Sequence, residues 1–283
     1  MTKELSNDII PDVNYHLTNQ CNMMCRFCFT RLQKINQIPL KQSLMLVKQL
    51  SEFGFNKINF AGGEPLICSW LPNLIHAAKS GGMTTSVITN GSLLKEKWIR
   101  KVERSLDWIG VSIDSLVPET NKKLGRFVSD GKVPDREFYL GLGKLVKKYE
   151  FLFKVNTVVT SLNCKEKLHD MIYTLRPNKW KIFQVLPILY ENDMVIDDLQ
   201  ISIIEFQEFL HNHTDLRCVT KIIPEENKKM IGTYLMIDPS GRFFDNVLGY
   251  YRFSDPILDV GLEAALGQIE WNIENYHQRT GRF

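Results

Sequence analysis

Three cysteines lie within eight residues of one another, at Cys21, Cys25 and Cys28. Thiolates are soft ligands that hold iron–sulfur clusters, in which each cysteine binds one iron. Because a cubane cluster has four irons, three cysteines leave one iron open to a chelating small molecule. The alternative is structural zinc, which usually takes four protein ligands, often as paired CxxC units. No second pair exists, and His16 would have to be the fourth ligand, so the spacing favours a 4Fe–4S cluster.

The other three cysteines are isolated at Cys68, Cys164 and Cys218. A disulfide framework uses spread, paired cysteines in short secreted chains, so we expect these three to be structural. Residues 1–11 are polar and lack the apolar core of a signal peptide, and no apolar run approaches a membrane span. We therefore expect a cytoplasmic location, where an oxygen-sensitive cluster survives, and no membrane partner.

The composition is that of an ordinary soluble protein, with 44% hydrophobic and 24% charged residues in a chain of 283. A net charge of +3 is too small to indicate a nucleic-acid partner. The length suits one large domain or two small ones.

Short β-branched segments alternate with longer amphipathic ones over the first two thirds of the chain. Strands are predicted at residues 13–18, 57–61, 84–89, 108–114, 151–159 and 180–187. Helices are predicted at residues 39–53, 70–80, 94–104, 135–147 and 165–174. Six such alternations predict an α/β fold with a parallel sheet that curls into a partial, open TIM-type (β/α)6 barrel.

The sequence changes character after Pro187. A helix is predicted at 198–211, a hairpin at 234–237 and 242–245, and a last helix at 259–269. No linker is visible, so we expect residues 1–190 to form the barrel core. Residues 191–283 would be a C-terminal extension of the same domain that completes the substrate site.

On several predicted strands the polar residues occupy alternate positions, which share one parity, and the positions of the opposite parity are apolar. The polar residues are Asn14, His16, Thr18, Ser112, Asp114, Lys154 and Asn156. In a barrel wrapped by helices the outward face is apolar, so this parity predicts a polar lumen that holds a ligand. The alternative is that these side chains lie in solvent at strand ends.

The CxxxCxxC spacing, with Phe27 before the last cysteine, resembles the signature of radical S-adenosylmethionine (SAM) enzymes. Residues 61–65, Ala-Gly-Gly-Glu-Pro, are similar to the GGEP motif of that family, in which glycines let the backbone approach SAM. The resemblance implies a SAM site formed by Phe27, Gly62, Gly63, Glu64, Asn90, Ser92, Ser112 and Asp114. The polar residues among these have helix N-capping as their alternative role.

A narrower resemblance covers nearly the whole chain: the sequence is similar to the viperin-type radical SAM nucleotide dehydratases. The segments that carry it are NYHLT at 14–18, KINF at 57–60, NGSL at 90–93, KVNTV at 154–158, WKIFQ at 180–184, PEEN at 224–227, YLMID at 234–238 and ILDVG at 257–261. The resemblance implies removal of the 4′ hydrogen from a ribonucleoside triphosphate by a 5′-deoxyadenosyl radical. Loss of the 3′ hydroxyl would then give a 3′-deoxy-3′,4′-didehydro analogue that terminates RNA chains in antiviral defence.

The same resemblance implies a triphosphate site with Lys154, Asn156 and Lys181, and it places Tyr234 near the nucleotide. A lysine inside a barrel is costly unless it is paired, which favours an anionic ligand, although a lysine at a strand start can also extend to solvent.

Two parts of the family pattern differ in this chain. Gln33 occupies the position of a phosphate-binding lysine of animal members, so we expect Lys34 or Arg31 to replace it. The short basic tail makes Arg279 and Arg282 further candidates, with a disordered end as the alternative.

Three functions stay open at this stage. They are the nucleotide dehydratase, another radical SAM enzyme such as a peptide or cofactor maturase, and a zinc-binding interaction protein. The first implies a flavodoxin or ferredoxin as electron donor, a nucleotide substrate (CTP, UTP or GTP) and a monomeric chain.

Overall fold

An open sheet forms the frame of the molecule. The computed structural model describes residues 12–30, 36–272, 274, 276 and 277. Its strands in chain order are β1 Asp12–His16, β2 Lys57–Ala61, β3 Thr84–Thr89, β4 Trp108–Ser112, β5 Leu152–Val159, β6 Lys179–Gln184, β7 Lys221–Glu225, β8 Leu235–Ile237, β9 Arg242–Asp245 and β10 Arg252–Pro256. They lie side by side in the order β10-β9-β8-β1-β2-β3-β4-β5-β6-β7.

Helices follow the strands along the chain. They are α1 Leu40–Phe53, α2 Leu71–Ser80, α3 Glu96–Val102, α4 Pro118–Lys123, α5 Arg136–Lys148, α6 His169–Leu175, α7 Asp193–Ile196, α8 Ile203–His211, α9 Asn227–Met230, α10 Ile257–Val260 and α11 Leu262–Leu266. Within the described part of the chain, none of these is long and apolar enough to cross a membrane. Neighbouring strands pair in parallel from β8 through β1 to β7, so the predicted α/β fold with an open, partial barrel is confirmed.

The largest differences from the sequence prediction lie after Gln184. Neither β7 nor β10 was predicted, because each contains a proline, Pro224 or Pro256, which removes a hydrogen-bond donor. Both are edge strands, where a missing donor is tolerated. The predicted hairpin exists as β8 and β9, and β8 also extends the sheet beside β1.

The two helices predicted for the C-terminal extension have different limits in the structure. The helix predicted at 198–211 begins at Ile203, because Ser202 and Glu205 form a capping box there. The helix predicted at 259–269 is interrupted by Gly261, whose φ of 85° belongs to the left-handed region, so it splits into α10 and α11.

Side chains alternate across β1 as the sequence pattern predicts. Val13 and Tyr15 are fully buried in the core, where the Tyr15 hydroxyl lies 3.2 Å from Ser43 Oγ on α1. Asn14 and His16 point to the opposite face and line a large cavity. The helices therefore cover one face of the sheet, and the polar parity surrounds a lumen.

Candidate active site

A cavity of about 940 Å³ occupies the inner face of the sheet. This is near the upper end of the roughly 300–1,000 Å³ usual for ligand sites. Its wall runs from the loop after β1, past the carboxyl ends of β2, β3 and β4, to the first residues of β2 and β6. Sulfur ligands, neutral polar groups and lysines thus share one space.

The loop after β1 brings Cys21, Cys25 and Cys28 to the cavity wall. Backbone hydrogen bonds fix this loop, from Met24 N to Gly125 O (3.2 Å) and from Arg26 N to Leu124 O (2.8 Å). Burial raises the pKa of the Cys25 thiol to about 12 and also raises the pKa of Cys21. Binding of a metal cluster to these thiols therefore releases protons.

Arg126 joins the cysteine loop to the end of β4, and sequence reasoning missed it. Its Nη1 lies 2.8 Å from Asp114 Oδ2 and 3.9 Å from Cys25 Sγ, and its Nη2 donates to Ser112 O at 2.9 Å. Both charged side chains are buried, at 4% and 1% exposure. Burial raises the pKa of Asp114, and the guanidinium opposes that shift. The only sequence signal was that a buried Asp114 needs a cation, which does not say which arginine supplies it.

The structure places Glu64 behind the cavity wall, where it is completely buried. Its carboxylate accepts hydrogen bonds from Thr89 Oγ1 (2.7 Å), Asn90 N (2.8 Å) and Leu66 N (3.1 Å). Burial raises its pKa to about 7 although these bonds oppose the shift. Glu64 therefore ties the end of β2 to the end of β3.

Gly62 and Gly63 do line the cavity, beside the segment that leads to the cysteines. A Cβ on Gly62, whose φ is 139°, would lie 2.5 Å from Thr18 O, and one on Gly63 would overlap the carbonyl oxygen of Gln20. Only glycine permits this close approach. The GGEP segment thus supports the cysteine loop as well as exposing backbone to the cavity.

Asn90, Ser112, Asp114 and Phe27 line the cavity near the cysteines. Asn90 Oδ1 accepts from Ser92 Oγ at 2.6 Å, and Asn90 Nδ2 donates to Asn22 Oδ1 at 2.9 Å. Ser92 therefore supports Asn90 from behind. Asn22, inside the CxxxCxxC motif, is a second residue that sequence reasoning missed.

Lysines dominate the wall formed by β5 and β6. Lys154, Asn156 and Lys181 all line the cavity, and Asn156 is in register with Lys181. Lys181 Nζ lies 2.6 Å from Glu225 Oε1 and donates to the Tyr234 hydroxyl at 2.7 Å. Glu225, fully buried on the unpredicted β7, was missed.

Lys154 is only 8% exposed. Burial lowers its pKa well below the usual value, and Lys57, Lys181 and Lys179 lower it further. Among the described residues, none accepts a hydrogen bond or forms an ion pair with its ammonium group. A buried cation without an anion is unstable by itself, so this wall is suited to a negatively charged ligand.

Several predicted residues lie outside the described part of the chain. Arg31, Gln33 and Lys34 fall within 31–35, and Arg279 and Arg282 fall within 278–283. Their part in the site remains a prediction.

The residues present fit the cofactors that the cysteine motif implies. Three thiols on one cavity wall are the soft donors that an iron–sulfur cluster takes. Within the described residues, no three His, Cys, Asp or Glu side chains gather around a point suited to a single metal ion. In such a cluster each thiolate binds a different iron. Next to the thiols, backbone at Gly62 and Gly63 and the polar side chains of Asn90 and Ser112 offer hydrogen bonds to a SAM molecule.

Two solved structures with bound S-adenosylmethionine have the same fold. The AdoMet-bound structure of native anSMEcpe superimposes with a TM-score of 0.70 at 16% identity, over 95% of this chain and 82% of that one. SuiB of Streptococcus suis bound to S-adenosylmethionine gives 0.67 at 16% identity, over 82% of this chain and 59% of that one. At such identities the likeness concerns the fold alone.

Sequence comparisons identify the family. Residues 15–160 match the Radical SAM superfamily. Two relatives named S-adenosylmethionine-dependent nucleotide dehydratase are each 43% identical to this chain. The match to the Flammeovirga pacifica protein covers 97% of this chain and 96% of that protein. The match to the Lacinutrix mariniflava protein covers 96% of this chain and 58% of that protein. The S-adenosylmethionine-dependent nucleotide dehydratase RSAD2 of Danio rerio is 34% identical over 96% of this chain and 77% of its own. The chain therefore belongs to the radical SAM superfamily and, within it, to the family of S-adenosylmethionine-dependent nucleotide dehydratases.

Proposed function

We propose that this chain dehydrates a ribonucleoside triphosphate (CTP, UTP or GTP) to its 3′-deoxy-3′,4′-didehydro analogue, an RNA chain terminator that serves antiviral defence. The 4′ hydrogen of the substrate would end in 5′-deoxyadenosine, and the 3′ hydroxyl would leave as water after one proton and one further electron are supplied by the medium and the electron donor. The observation that carries the proposal is Lys154, a buried ammonium group on the wall of the cavity that also holds the three cysteines. The names of the relatives support dehydration of a nucleotide.

The end of the cavity at the cysteines would hold the cofactors. Cys21, Cys25 and Cys28 would bind a 4Fe–4S cluster, and SAM would lie against Phe27, Gly62, Gly63, Asn90, Ser112 and Asp114. When bound, the cluster and SAM supply an alkyl radical by one-electron cleavage of SAM. Glu64, Ser92 and Arg126 act as positioning residues, because their hydrogen bonds fix the segments that carry these groups.

The lysine wall would hold the triphosphate. Lysine binds phosphate as a point charge. Lys154 lies two residues before Asn156 on β5, and Lys181 lies opposite Asn156 on β6. The hydroxyl of Tyr234, the residue before β8, accepts a hydrogen bond from Lys181 Nζ and, with Glu225, fixes this ammonium group. Lys34 and Arg279 are further candidates for phosphate contacts.

Residues 191–283 would complete this site as part of the same domain, since Glu225 and Tyr234 both belong to them. A flavodoxin or ferredoxin would supply electrons. We further propose that the chain works as a monomer in the cytoplasm.

The proposal is tested by turnover of the anaerobically reconstituted protein with SAM, dithionite and each common ribonucleoside triphosphate in turn. Mass spectrometry would follow 5′-deoxyadenosine and a nucleotide lighter by one water. One triphosphate should lose water while the others stay intact. Formation of 5′-deoxyadenosine without any change in a nucleotide would overturn the dehydratase and favour a peptide or cofactor maturase.

A further inference from the structure

Three polar side chains beside the cysteine loop close a ring of hydrogen bonds. Asn22 Nδ2 donates to Ser92 Oγ at 2.8 Å, and Ser92 Oγ donates to Asn90 Oδ1 at 2.6 Å. Asn90 Nδ2 then donates to Asn22 Oδ1 at 2.9 Å. Each side chain donates once to the next one and accepts once from the one before, and hydrogen bonds in such a chain strengthen one another. The ring therefore joins the CxxxCxxC motif to the segment after β3.

The ring also sets the direction of the Asn90 amide. Its Oδ1 accepts a further hydrogen bond from Ser92 N at 2.9 Å, so the oxygen faces Ser92 and the nitrogen faces the cysteine loop. An amide nitrogen carries two N–H groups. One of them donates to Asn22, and Nδ2 also lies 3.9 Å from Cys21 Sγ. The second N–H is therefore available to the sulfur, where a reversed amide would place its oxygen.

Main-chain hydrogen bonds hold the ring on both sides. On the side of the cysteine loop, Asn22 O accepts from Ser129 N at 3.0 Å. On the side of β3, Asn90 N donates to the buried carboxylate of Glu64 at 2.8 Å. The fold thus fixes the separation between the Asn90 amide and the Cys21 sulfur.

Hydrogen bonds to the sulfurs are among the factors that set the reduction potential of an iron–sulfur cluster. An N–H group whose positive end faces a thiolate stabilises the reduced cluster, which is the more negative form, so it raises the potential. Two other groups act in the same sense, since Met23 N donates to Cys21 Sγ at 3.4 Å and Arg126 Nη1 lies 3.9 Å from Cys25 Sγ. The Asn90 amide differs from these two because it belongs to neither the main chain nor an ion pair, so a substitution can remove it selectively.

We propose that Asn22 and Ser92 are positioning residues that hold an N–H of Asn90 on the Cys21 sulfur, and that this contact raises the reduction potential of the bound cluster. A higher potential makes one-electron reduction of the cluster easier for a donor protein. The inference goes beyond the proposed dehydration, because it concerns reduction of the cluster and is independent of the substrate. It rests on the assignment of the cluster to the three cysteines of the motif.

The test is a redox titration of the anaerobically reconstituted protein without SAM, followed by the electron paramagnetic resonance signal of the reduced cluster. N90A removes the amide and should lower the ratio of reduced to oxidised cluster at a fixed potential by about tenfold, which is about 59 mV for one electron. N22A and S92A keep the amide but open the ring, and each should lower the ratio by about threefold. S92T keeps the hydroxyl group and should restore the wild-type ratio.

N73A is the matched control, since Asn73 is an exposed asparagine on α2. Its ratio of reduced to oxidised cluster should equal that of wild-type protein. The potential separates the proposed role from a merely structural one, because a weakened loop would bind less cluster without shifting the potential of the cluster that is bound. If N90A takes up no cluster, the comparison of S92A with S92T carries the same test.

Two failures are distinguishable. If N90A binds the cluster and keeps the wild-type ratio, or if N90A lowers the ratio while N22A and S92A leave it unchanged, the proposal is overturned and the cluster assignment stands. If wild-type protein takes up no iron–sulfur cluster, the cluster assignment is overturned and this inference with it.

Discussion

The two ends of the cavity treat buried polar groups in opposite ways. At the cysteine end, Glu64 accepts three hydrogen bonds, and Asp114 is paired with Arg126. At the other end, Lys154 and Lys179 are neighbours of like charge on adjacent strands. The buried carboxylates at the first end are paired or hydrogen-bonded within the protein, whereas the lysines at the second end are suited to an anionic ligand.

This difference indicates that the two ends of the cavity have different functions. A radical reaction needs cofactors held in one geometry, and the buried hydrogen bonds and ion pair at the cysteine end provide rigidity. A polyanionic substrate binds best to positive charges that are in place before it arrives. The lysines therefore stay close together although their charges repel one another. Four substitutions would break or sharpen the comparison.

The largest effect is expected at the cysteine end, from C25A. Removal of one of three thiolates should abolish the visible absorbance of the reconstituted cluster and all SAM cleavage. C218A is the matched control, because Cys218 is exposed and far in sequence from the motif. SAM cleavage retained in C25A would show that the cluster ligands are assigned wrongly.

R126M should destabilise the fold by about 3–5 kcal/mol, because it leaves Asp114 as a buried charge without its cation. Denaturant unfolding measures this change in the free energy of unfolding. The double variant R126M/D114N, which removes both charges, should recover part of the loss. A loss below about 1 kcal/mol in R126M, the value of a surface pair, would contradict the tight network described for this end.

K154M should act in opposite directions on stability and on binding. Loss of a buried ammonium group that pairs with none of the described residues should raise the free energy of unfolding by about 1–3 kcal/mol. Affinity for the triphosphate should fall by about tenfold or more, while slow cleavage of SAM without nucleotide persists. Unfolding curves and calorimetry measure both, and K48M is the control because Lys48 is a surface lysine paired with Glu52. A variant that is both less stable and unchanged in nucleotide affinity would show that Lys154 is structural.

The smallest effect is a pH dependence at Glu64. Its pKa is about 7 in the folded protein, above the ordinary value of 4.5. The bound proton therefore stabilises the fold below pH 4.5, and this contribution is lost as pH rises toward 7. E64Q does not titrate, so its free energy of unfolding should rise relative to wild type across that window. A constant difference between the two proteins from pH 4.5 to 7 would mean that Glu64 titrates normally.

The barrel could be predicted because the sequence patterns of its strands and helices are local. Strands β1 to β6 and the helices that follow them show their own periodicities, and the CxxxCxxC and GGEP motifs are continuous in the chain. The strands of the extension were harder to predict. Pro224 and Pro256 weaken the strand pattern of β7 and β10, and both edge strands depend on pairing with a neighbouring strand.

The supporting residues of the site could not be predicted for a related reason. Arg126 reaches Asp114 only because the segment after α4 packs on the cysteine loop, and Glu225 reaches Lys181 only because β7 joins the sheet. Such pairs depend on tertiary contacts between distant parts of the chain. Glu64 illustrates the opposite case, since a motif identified the residue and the structure showed which groups it contacts.

The central claim is that the lysine wall presents the ribose of a nucleoside triphosphate to the cofactor end of the cavity. Its most direct test is turnover of a substrate deuterated at C4′, followed by mass spectrometry of both products. The account predicts 5′-deoxyadenosine that carries one deuterium and a dehydrated nucleotide that carries none. Unlabelled 5′-deoxyadenosine, formed while the dehydrated nucleotide keeps its deuterium, would contradict it.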